Sequence, residues 1–308
     1  MASKKVLRKL KDYPAIVGLI GLVILFSILS DRFFTVSNFI NVLRQVSMQA
    51  IIAFGMTVVI ISGGIDLSVG SVFALSAAIL ASIVSKNSIA LGIIAALATG
   101  AGFGLVNGFI IAKAKLQPFI VTLATMAIAR SLTLAYTEGM PITGFSDAFR
   151  FIGSGDIVGI PVPILIMFGF LALMFYITTY TKFGLYAYSI GGNETAARLS
   201  GVKVDVYKIS FYMLSGLLSA VSAIILTSRL NSAQPTFGVG YELDAIAAVV
   251  LGGASLSGGK GSIIGTFFGA LIMGILNNGM NILNVSPFYQ DAVKGIVILT
   301  AVLVEREG

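Results

Sequence analysis

The sequence contains no cysteine and no histidine, and it is poor in charge. Only 11% of its 308 residues are charged. Without cysteine the chain can form no disulfide and offers no thiolate as a nucleophile or metal ligand. Without histidine it lacks the side chain that most often serves as a general base and metal ligand. We therefore expect no catalytic residue, no metal site and no cofactor bound by this chain.

The shortage of charge also excludes a water-soluble fold. Soluble domains carry about 25% charged residues, whereas 57% of this sequence is hydrophobic. A transmembrane helix needs about 20 apolar residues, and ten apolar runs can be separated here. They cover residues 14–30, 46–62, 70–85, 88–112, 118–136, 161–181, 209–228, 243–257, 261–279 and 287–304. We predict an all-α polytopic membrane protein with about ten transmembrane helices, forming a single domain over residues 1–308.

The distribution of basic residues predicts the orientation in the membrane. Residues 1–13 are rich in Lys and Arg, which suits the anionic cytoplasmic leaflet. With this end inside, thirteen basic residues fall in inner segments and five in outer ones. Because cytoplasmic loops retain positive charge, we expect both termini in the cytoplasm. The net charge of +7 then reflects orientation, and we expect no nucleic-acid partner.

Glycine is abundant, and part of it is spaced for close packing of helices. Two sets of three glycines recur at every fourth residue, which places each set on one smooth helix face that a neighbour can approach closely. The sets are Gly100, Gly104 and Gly108, and Gly261, Gly265 and Gly269.

Two similar strings stand between apolar runs in different halves of the chain. GGIDLSVGS covers residues 63–71, and GGASLSGGKGS covers residues 252–262. The second is not a phosphate-binding loop, because the spacing G-x-x-x-x-G-K-[ST] fails and its flanks are apolar helices. Paired glycine-interrupted segments point to a transport pathway. Whether either string is re-entrant stays open.

Polar side chains at membrane depth are candidates for a translocation path. Amides and hydroxyls can exchange hydrogen bonds with a polyhydroxylated solute, but they also join helices to each other, and both interpretations stay open. Residues 229–244, with aromatic and acidic side chains, are predicted to shape the outer mouth. The path candidates are Asp66, Ser68, Asn107, Phe237, Tyr241, Glu242, Asp244, Asn277, Asn278 and Asn281. Asp291 and Lys294 are expected to pair locally, and Arg130 to extend toward the outer surface.

The longest polar segment predicted on the inner side, residues 182–208, contains the signals of a short helix. Asn193 is a suitable N-cap, Glu194 follows where the helix dipole favours an acid, and Gly201 is a natural stop. Because so short a helix is marginal in isolation, we expect it to dock against another surface.

This segment resembles the coupling helix of ABC importer permeases, which enters a cleft on the ATPase subunit. Its Glu-Ala-Ala…Gly pattern is matched, with Thr195 as an insertion. The residues assigned to ATPase coupling are Gly192, Asn193, Glu194, Ala196, Ala197, Arg198 and Gly201. The strings IISGGIDLSVGS, YSIGGNETAARLSGV, SAQPTFGVGYELDAIAAVVLGGASLSGGKGS and LNNGMNIL are similar to the carbohydrate permeases of the ribose type. The resemblance extends over residues 33–304.

The resemblance implies a multi-pass permease subunit in the bacterial plasma (inner) membrane, forming the path for a monosaccharide, with ribose first. It implies a homodimer in the lipid bilayer, a cytoplasmic ABC ATPase and an extracytoplasmic sugar-binding protein. ATP and Mg would bind to the ATPase, so the chain would not itself be an enzyme. A permease for xylose, arabinose, galactose or an autoinducer, and an ion-coupled secondary transporter, stay open as alternatives.

Overall fold

The structure, a computed structural model, describes residues 14–86 and 88–307, and these residues fold mainly into helices. The helices are α1 Pro14–Leu29, α2 Val36–Ile61, α3 Val69–Val84, α4 Ile89–Ala114, α5 Pro118–Thr137, α6 Asp147–Ser154, α7 Val162–Tyr180, α8 Lys182–Gly192, α9 Glu194–Leu199, α10 Val204–Leu230, α11 Tyr241–Leu251, α12 Ile263–Ile282 and α13 Pro287–Glu307. Four two-residue strands form antiparallel pairs, β1 Ile142–Thr143 with β4 Ser232–Ala233, and β2 Asp156–Ile157 with β3 Ile160–Pro161. The all-α prediction is confirmed, and the predicted basic segment 1–13 lies outside the described residues.

Six of the described helices are long and apolar enough to cross a membrane, namely α2, α4, α5, α7, α10 and α12. The predicted number of ten is not confirmed. The largest difference concerns residues 243–257, where α11 has only 11 residues. At 1.5 Å per residue this helix is about 16 Å long, roughly half of the ~30 Å apolar core of a bilayer. The apolar run continues beyond the helix, so hydropathy alone overestimates the helix length.

The glycine face of α4 packs on α10, as its spacing predicts. A Cβ on Gly104 would collide with the backbone of Tyr212, and Gly100 and Gly108 meet α10 in the same way. The second set of glycines does not form a single packing face. Gly265 and Gly269 pack α12 against the end of α11, whereas Gly261 lies before the start of α12. These contacts bring backbones together where any side chain would hold them apart.

The connection from α2 to α3 rises into the middle of the molecule along α10. Ser215 Oγ donates to Asp66 Oδ2 at 2.9 Å, and Ser219 Oγ donates to the carbonyl of Val69 at 2.6 Å. Ser215 and Ser219 lie near the centre of α10. The short helix α3 therefore begins at mid-height instead of at the end of the helical body.

The connection from α10 to α11 enters the middle from the opposite end. Arg130, near the centre of α5, donates from Nη1 to the carbonyls of Pro235 at 2.6 Å and Phe237 at 2.8 Å. The two connections touch where Gly70 and Gly238 face each other, because a Cβ on either would fall on the carbonyl oxygen of the other. Helices α2–α5 and α10–α13 thus repeat one pattern in opposite directions, each with a long helix, a broken connection and a short helix.

Candidate functional site

The segment predicted to couple to a partner forms a capped helix between α8 and α10. Asn193 Oδ1 accepts a hydrogen bond from the amide of Ala196 at 2.9 Å at the start of α9. At its other end Gly201 has a φ of +85°, and the amide of Val202 donates to the carbonyl of Ala197 at 3.1 Å. The N-cap and the left-handed glycine lie where the sequence predicts them.

Ion pairs fix α9 to the helices next to it. Glu194 pairs with Arg198 at 3.3 Å and with Lys208 at 2.5 Å. Arg198 also pairs with Asp205 at 2.8 Å, and Asp205 pairs with Lys113 at 3.1 Å. Burial would raise the pKa of Glu194, but hydrogen bonds and charge from Lys208 and Arg198 outweigh it and hold the pKa below its ordinary value. Each exposed pair is weak alone, but together they join α9 to the first two turns of α10 and the last turn of α4.

The outward face of α9 presents a large apolar side chain. Leu199 is 85% exposed, whereas Ala197 is 6% exposed and belongs to the core of the chain itself. Gly192, Glu194, Ala196 and Arg198 are exposed around Leu199. The site assignment from the sequence omits Leu199. The sequence feature that could have identified Leu199 is the presence of a leucine in a polar segment, two residues after the alanine that turns inward.

Three of the predicted path residues form one buried cluster at the start of α3. Ser68 donates to Asp66 Oδ1 from its amide at 3.1 Å and from Oγ at 2.6 Å. Asn107 Nδ2 donates to Ser68 Oγ at 2.9 Å, and Ser215 supplies the remaining donor to Asp66. Asp66 is 1% exposed and has no ion-pair partner within the described part of the chain. Hydroxyl and backbone donors therefore compensate the burial of this carboxyl group, and Ser215 is a site residue that sequence reasoning missed.

A second cluster of predicted path residues surrounds the break before α11. Phe73 of α3 contacts Phe237 and Tyr241 edge to face, with ring centroids 6.5 Å and 5.3 Å apart. The carboxylate of Glu242 lies beside Gly70, in the first turn of α3. Helix N-termini favour negative charge, so this carboxylate is well placed at the start of α3.

Asp244 joins three helices through polar contacts. Its Oδ2 accepts a hydrogen bond from Gln49 Nε2 of α2 at 3.1 Å, and its Oδ1 lies 3.5 Å from Lys294 Nζ of α13. Lys294 also pairs with Asp291 at 3.6 Å, as the sequence predicts. Arg130 differs from its prediction. Its guanidinium group donates hydrogen bonds to the broken segment before α11 and does not extend to the outer surface.

The predicted asparagines Asn277, Asn278 and Asn281 lie near the end of α12. Asn278 exchanges two hydrogen bonds of 3.0 Å with Asn38 of α2. Asn281 Oδ1 accepts from Gln290 Nε2 of α13 at 2.8 Å, while Asn277 Oδ1 is buried with no partner among the described residues. Two of the three amides therefore connect helices, which is the structural interpretation left open by the sequence.

The clusters place hydrogen-bonding groups and aromatic faces at the middle of the helical body. Separately, α9 forms a fixed and exposed helix at one end of it. Among residues 14–86 and 88–307, no set of three or more acidic side chains is grouped closely enough to hold a metal ion. The arrangement suits passage of a polar solute and contact with a partner protein.

Known proteins align with almost the whole chain. Residues 38–302 match the family described as "Branched-chain amino acid transport system / permease component". The chain is 51% identical over 303 residues to the ribose import permease protein RbsC of Escherichia coli (strain K12), covering 97% of this chain and 94% of that protein. The RbsC protein of Bacillus subtilis (strain 168) is 54% identical over 293 residues, covering 94% and 91%. The L-arabinose transport system permease protein AraH of Escherichia coli (strain K12) is 41% identical over 296 residues, covering 96% and 90%. No solved structure matches the chain.

The family match covers most of the chain, and it agrees with an all-helical body that has six helices able to cross a membrane. The relatives align from end to end, so the match is not confined to a shared segment. The chain therefore belongs to the transport-system permease family, whose description names branched-chain amino acids, and is a multi-pass permease of the inner membrane.

Proposed function

We propose that this chain is the membrane subunit of a ribose importer that is driven by ATP hydrolysis on a partner protein. Identities of 51% and 54% to two ribose import permeases, against 41% to an arabinose permease, support ribose as the substrate. The family description names amino acids, but the three relatives are named for sugars. Two copies of the chain and an extracytoplasmic sugar-binding protein complete the proposed assembly.

Helix α9 is the proposed docking element for a cytoplasmic ATPase. The observation that carries this proposal is an exposed Leu199 on a helix that is capped at both ends and fixed at its base by ion pairs. A fixed helix of this kind transmits a displacement to α10 and α4 without first rearranging. ATP and Mg would bind to the ATPase, and this chain would contribute no catalytic residue.

The two broken connections are the proposed moving part of the sugar path. They meet where Gly70, in the first turn of α3, faces Gly238. Phe237 and Tyr241 contact α3 near this point, and the Asp66 cluster lies at the start of the same helix. Aromatic faces stack on sugar rings, and carboxylates accept hydrogen bonds from hydroxyl groups. Broken helices at the middle of a membrane protein are typical of transport sites.

Reconstitution in liposomes tests the proposed function. We expect uptake of labelled ribose only when the ATPase, the sugar-binding protein and ATP are all present. Uptake driven by an ion gradient without ATP would contradict an ATP-driven importer. A panel of pentoses and branched-chain amino acids tests the substrate, and the absence of saturable ribose uptake would overturn the choice of ribose.

The substitution Phe237→Ala tests the path. We expect lower uptake with unchanged stimulation of the ATPase, because Phe237 contacts α3 and α5 at the break, whereas α9 packs against α8 and α10. Phe168→Ala in α7 is the matched control, since Phe168 is exposed on the helical surface. Unchanged uptake by Phe237→Ala would remove this side chain from the proposed path.

A further inference from the structure

The end of α8, next to α9, contacts the backbone of two distant segments. Gly191 is separated from α9 only by Gly192 and Asn193. A Cβ on Gly191 would fall on the carbonyl oxygen of Ile61, the last residue of α2, and 2.6 Å from the amide nitrogen of Gly259. Both neighbours are backbone atoms, so a change of rotamer cannot make room for a side chain.

The two contacted segments are themselves joined at this point. The amide of Gly259 donates to the carbonyl of Ile61 at 2.8 Å. This bond satisfies an acceptor that the C-terminus of α2 would otherwise leave without a partner. A Cβ on Gly258 would lie 2.8 Å from the carbonyl oxygen of Gly191 and 3.0 Å from Cα of Gly63. We call this contact of residues 61–63, 191 and 258–261 the glycine junction.

A side-chain hydrogen bond supports the same junction. Tyr188, one turn before Gly191 in α8, donates from its hydroxyl to the carbonyl of Gly261 at 2.8 Å. Tyr188 is part-buried, and Ile61 is fully enclosed. The junction is therefore both packed and hydrogen-bonded against one face of α8, and packed interiors of low compressibility transmit displacement.

One segment of the junction leads into the first broken connection, and the other joins α11 to α12. Asp66 and the start of α3 follow Gly63 within a few residues. On the other side, α12 begins at Ile263, just after Gly261. The junction thus lies between α9 and both halves of the repeated pattern.

We propose that Gly191 is a positioning residue that passes the movement of α9 to the α2–α3 connection and to the segment that joins α11 to α12, and so couples ATP hydrolysis to transport. This inference rests on the proposed function of α9 as the ATPase-docking helix. A side chain at position 191 would separate α8 from Ile61 and Gly259 and strain the hydrogen bond between them. It would leave the caps of α9 and the exposed Leu199 as they are. Docking would then persist while transmission fails.

The experiment compares variants in the reconstituted complex with the ATPase and the sugar-binding protein. Gly191→Ala should retain the ATPase on co-purification and still hydrolyse ATP, but ribose uptake per ATP should fall about tenfold or more, as expected for overpacking a filled contact. Gly169→Ala in α7 is the matched control, because a Cβ there meets no atom within 4 Å. It should keep the wild-type ratio of uptake to ATP hydrolysed.

A gentler variant guards against a failure of Gly191→Ala to fold. Tyr188→Phe removes only the hydroxyl group that bonds Gly261, and we expect uptake per ATP to fall about fivefold, the effect of one lost hydrogen bond. Its ATPase binding should match the wild type, and its thermal unfolding midpoint should fall by only about 2–4 °C. A wild-type ratio in both variants would overturn the inference, as would loss of ATPase binding in Gly191→Ala. A wild-type complex without ATP-dependent uptake would instead overturn the proposed function, before any variant is compared.

Discussion

Truncation of Leu199 tests directly how α9 binds a partner. This side chain is 85% exposed on a helix that its caps and ion pairs hold in place. A partner surface can therefore cover it without reordering the helix. Leu199→Ala removes the equivalent of three methylene groups, each worth about 0.8 kcal/mol when buried. Scaled by the exposed fraction, the loss is about 2 kcal/mol, which weakens ATPase binding about 30-fold.

The assay is the dissociation constant of the ATPase for the permease in nanodiscs, measured by titration. Leu173→Ala in α7 is the control, because Leu173 is also exposed, at 49%, but lies on another helix. It should change the dissociation constant less than twofold. Leu199→Met conserves volume and should bind nearly as tightly as the wild type. An unchanged dissociation constant in Leu199→Ala would refute docking through this side chain.

Four further predictions concern packing, the broken segment and the base of α9. Gly104→Ala should lower the free energy of unfolding by about 1–3 kcal/mol, because its Cβ meets the backbone of α10. Gly102→Ala, at a position with open space around it, should leave the free energy of unfolding unchanged or raise it by up to ~1 kcal/mol. Thermal unfolding in detergent compares the Gly104 and Gly102 variants. Arg130→Met leaves two carbonyls of the broken segment without their donor, so we expect a loss of about 2 kcal/mol or more together with lower ribose uptake; an unchanged unfolding midpoint would contradict this role. Glu194 has a lowered pKa in the folded chain, so its stabilisation of α9 is present above its ordinary value of 4.5 and is lost as the pH falls below that value toward the folded pKa. A spin label on α9, at a single introduced cysteine, should gain mobility over that range, and Glu194→Gln should abolish the change. Ala197→Leu overpacks the buried side of α9 and should lower both ATPase binding and uptake at normal membrane levels; wild-type values of both would show that the site tolerates the larger side chain.

Features that depend on neighbours in the chain were predictable from the sequence. The shortage of charge and the long apolar runs require a helical membrane protein, because a polypeptide in lipid must satisfy its own backbone hydrogen bonds. The caps of α9 follow from the chemistry of Asn193 and Gly201 at its two ends. The four-residue spacing of glycine in α4 predicts a face for close packing, and α10 occupies that face.

The number of spans was less predictable, because hydropathy records where a chain is apolar and not where a helix stops. The apolar run at residues 243–257 continues past the end of α11 at Leu251. The run at residues 70–85 corresponds to α3, which begins at mid-height. The broken connections that precede these two short helices are stabilised by groups from other helices. Ser215 of α10 stabilises the connection before α3, and Arg130 of α5 stabilises the connection before α11. Nothing in the adjacent sequence identifies those partners.

Tertiary structure alone decided which surfaces meet. The strings at residues 63–71 and 252–262 look like counterparts in two halves, yet they lie against each other at the glycine junction, and the counterpart of the first broken connection is the one that contains Gly238. Packing also turned Ala197 into the core and Leu199 outward, although both belong to one short helix. Composition and spacing are properties of neighbouring residues, so they determine the membrane class, the caps and the smooth faces. The residue that contacts a buried carboxyl group, or that packs on the backbone of a glycine, lies far away in the chain. Only the packed fold brings such a pair of residues together.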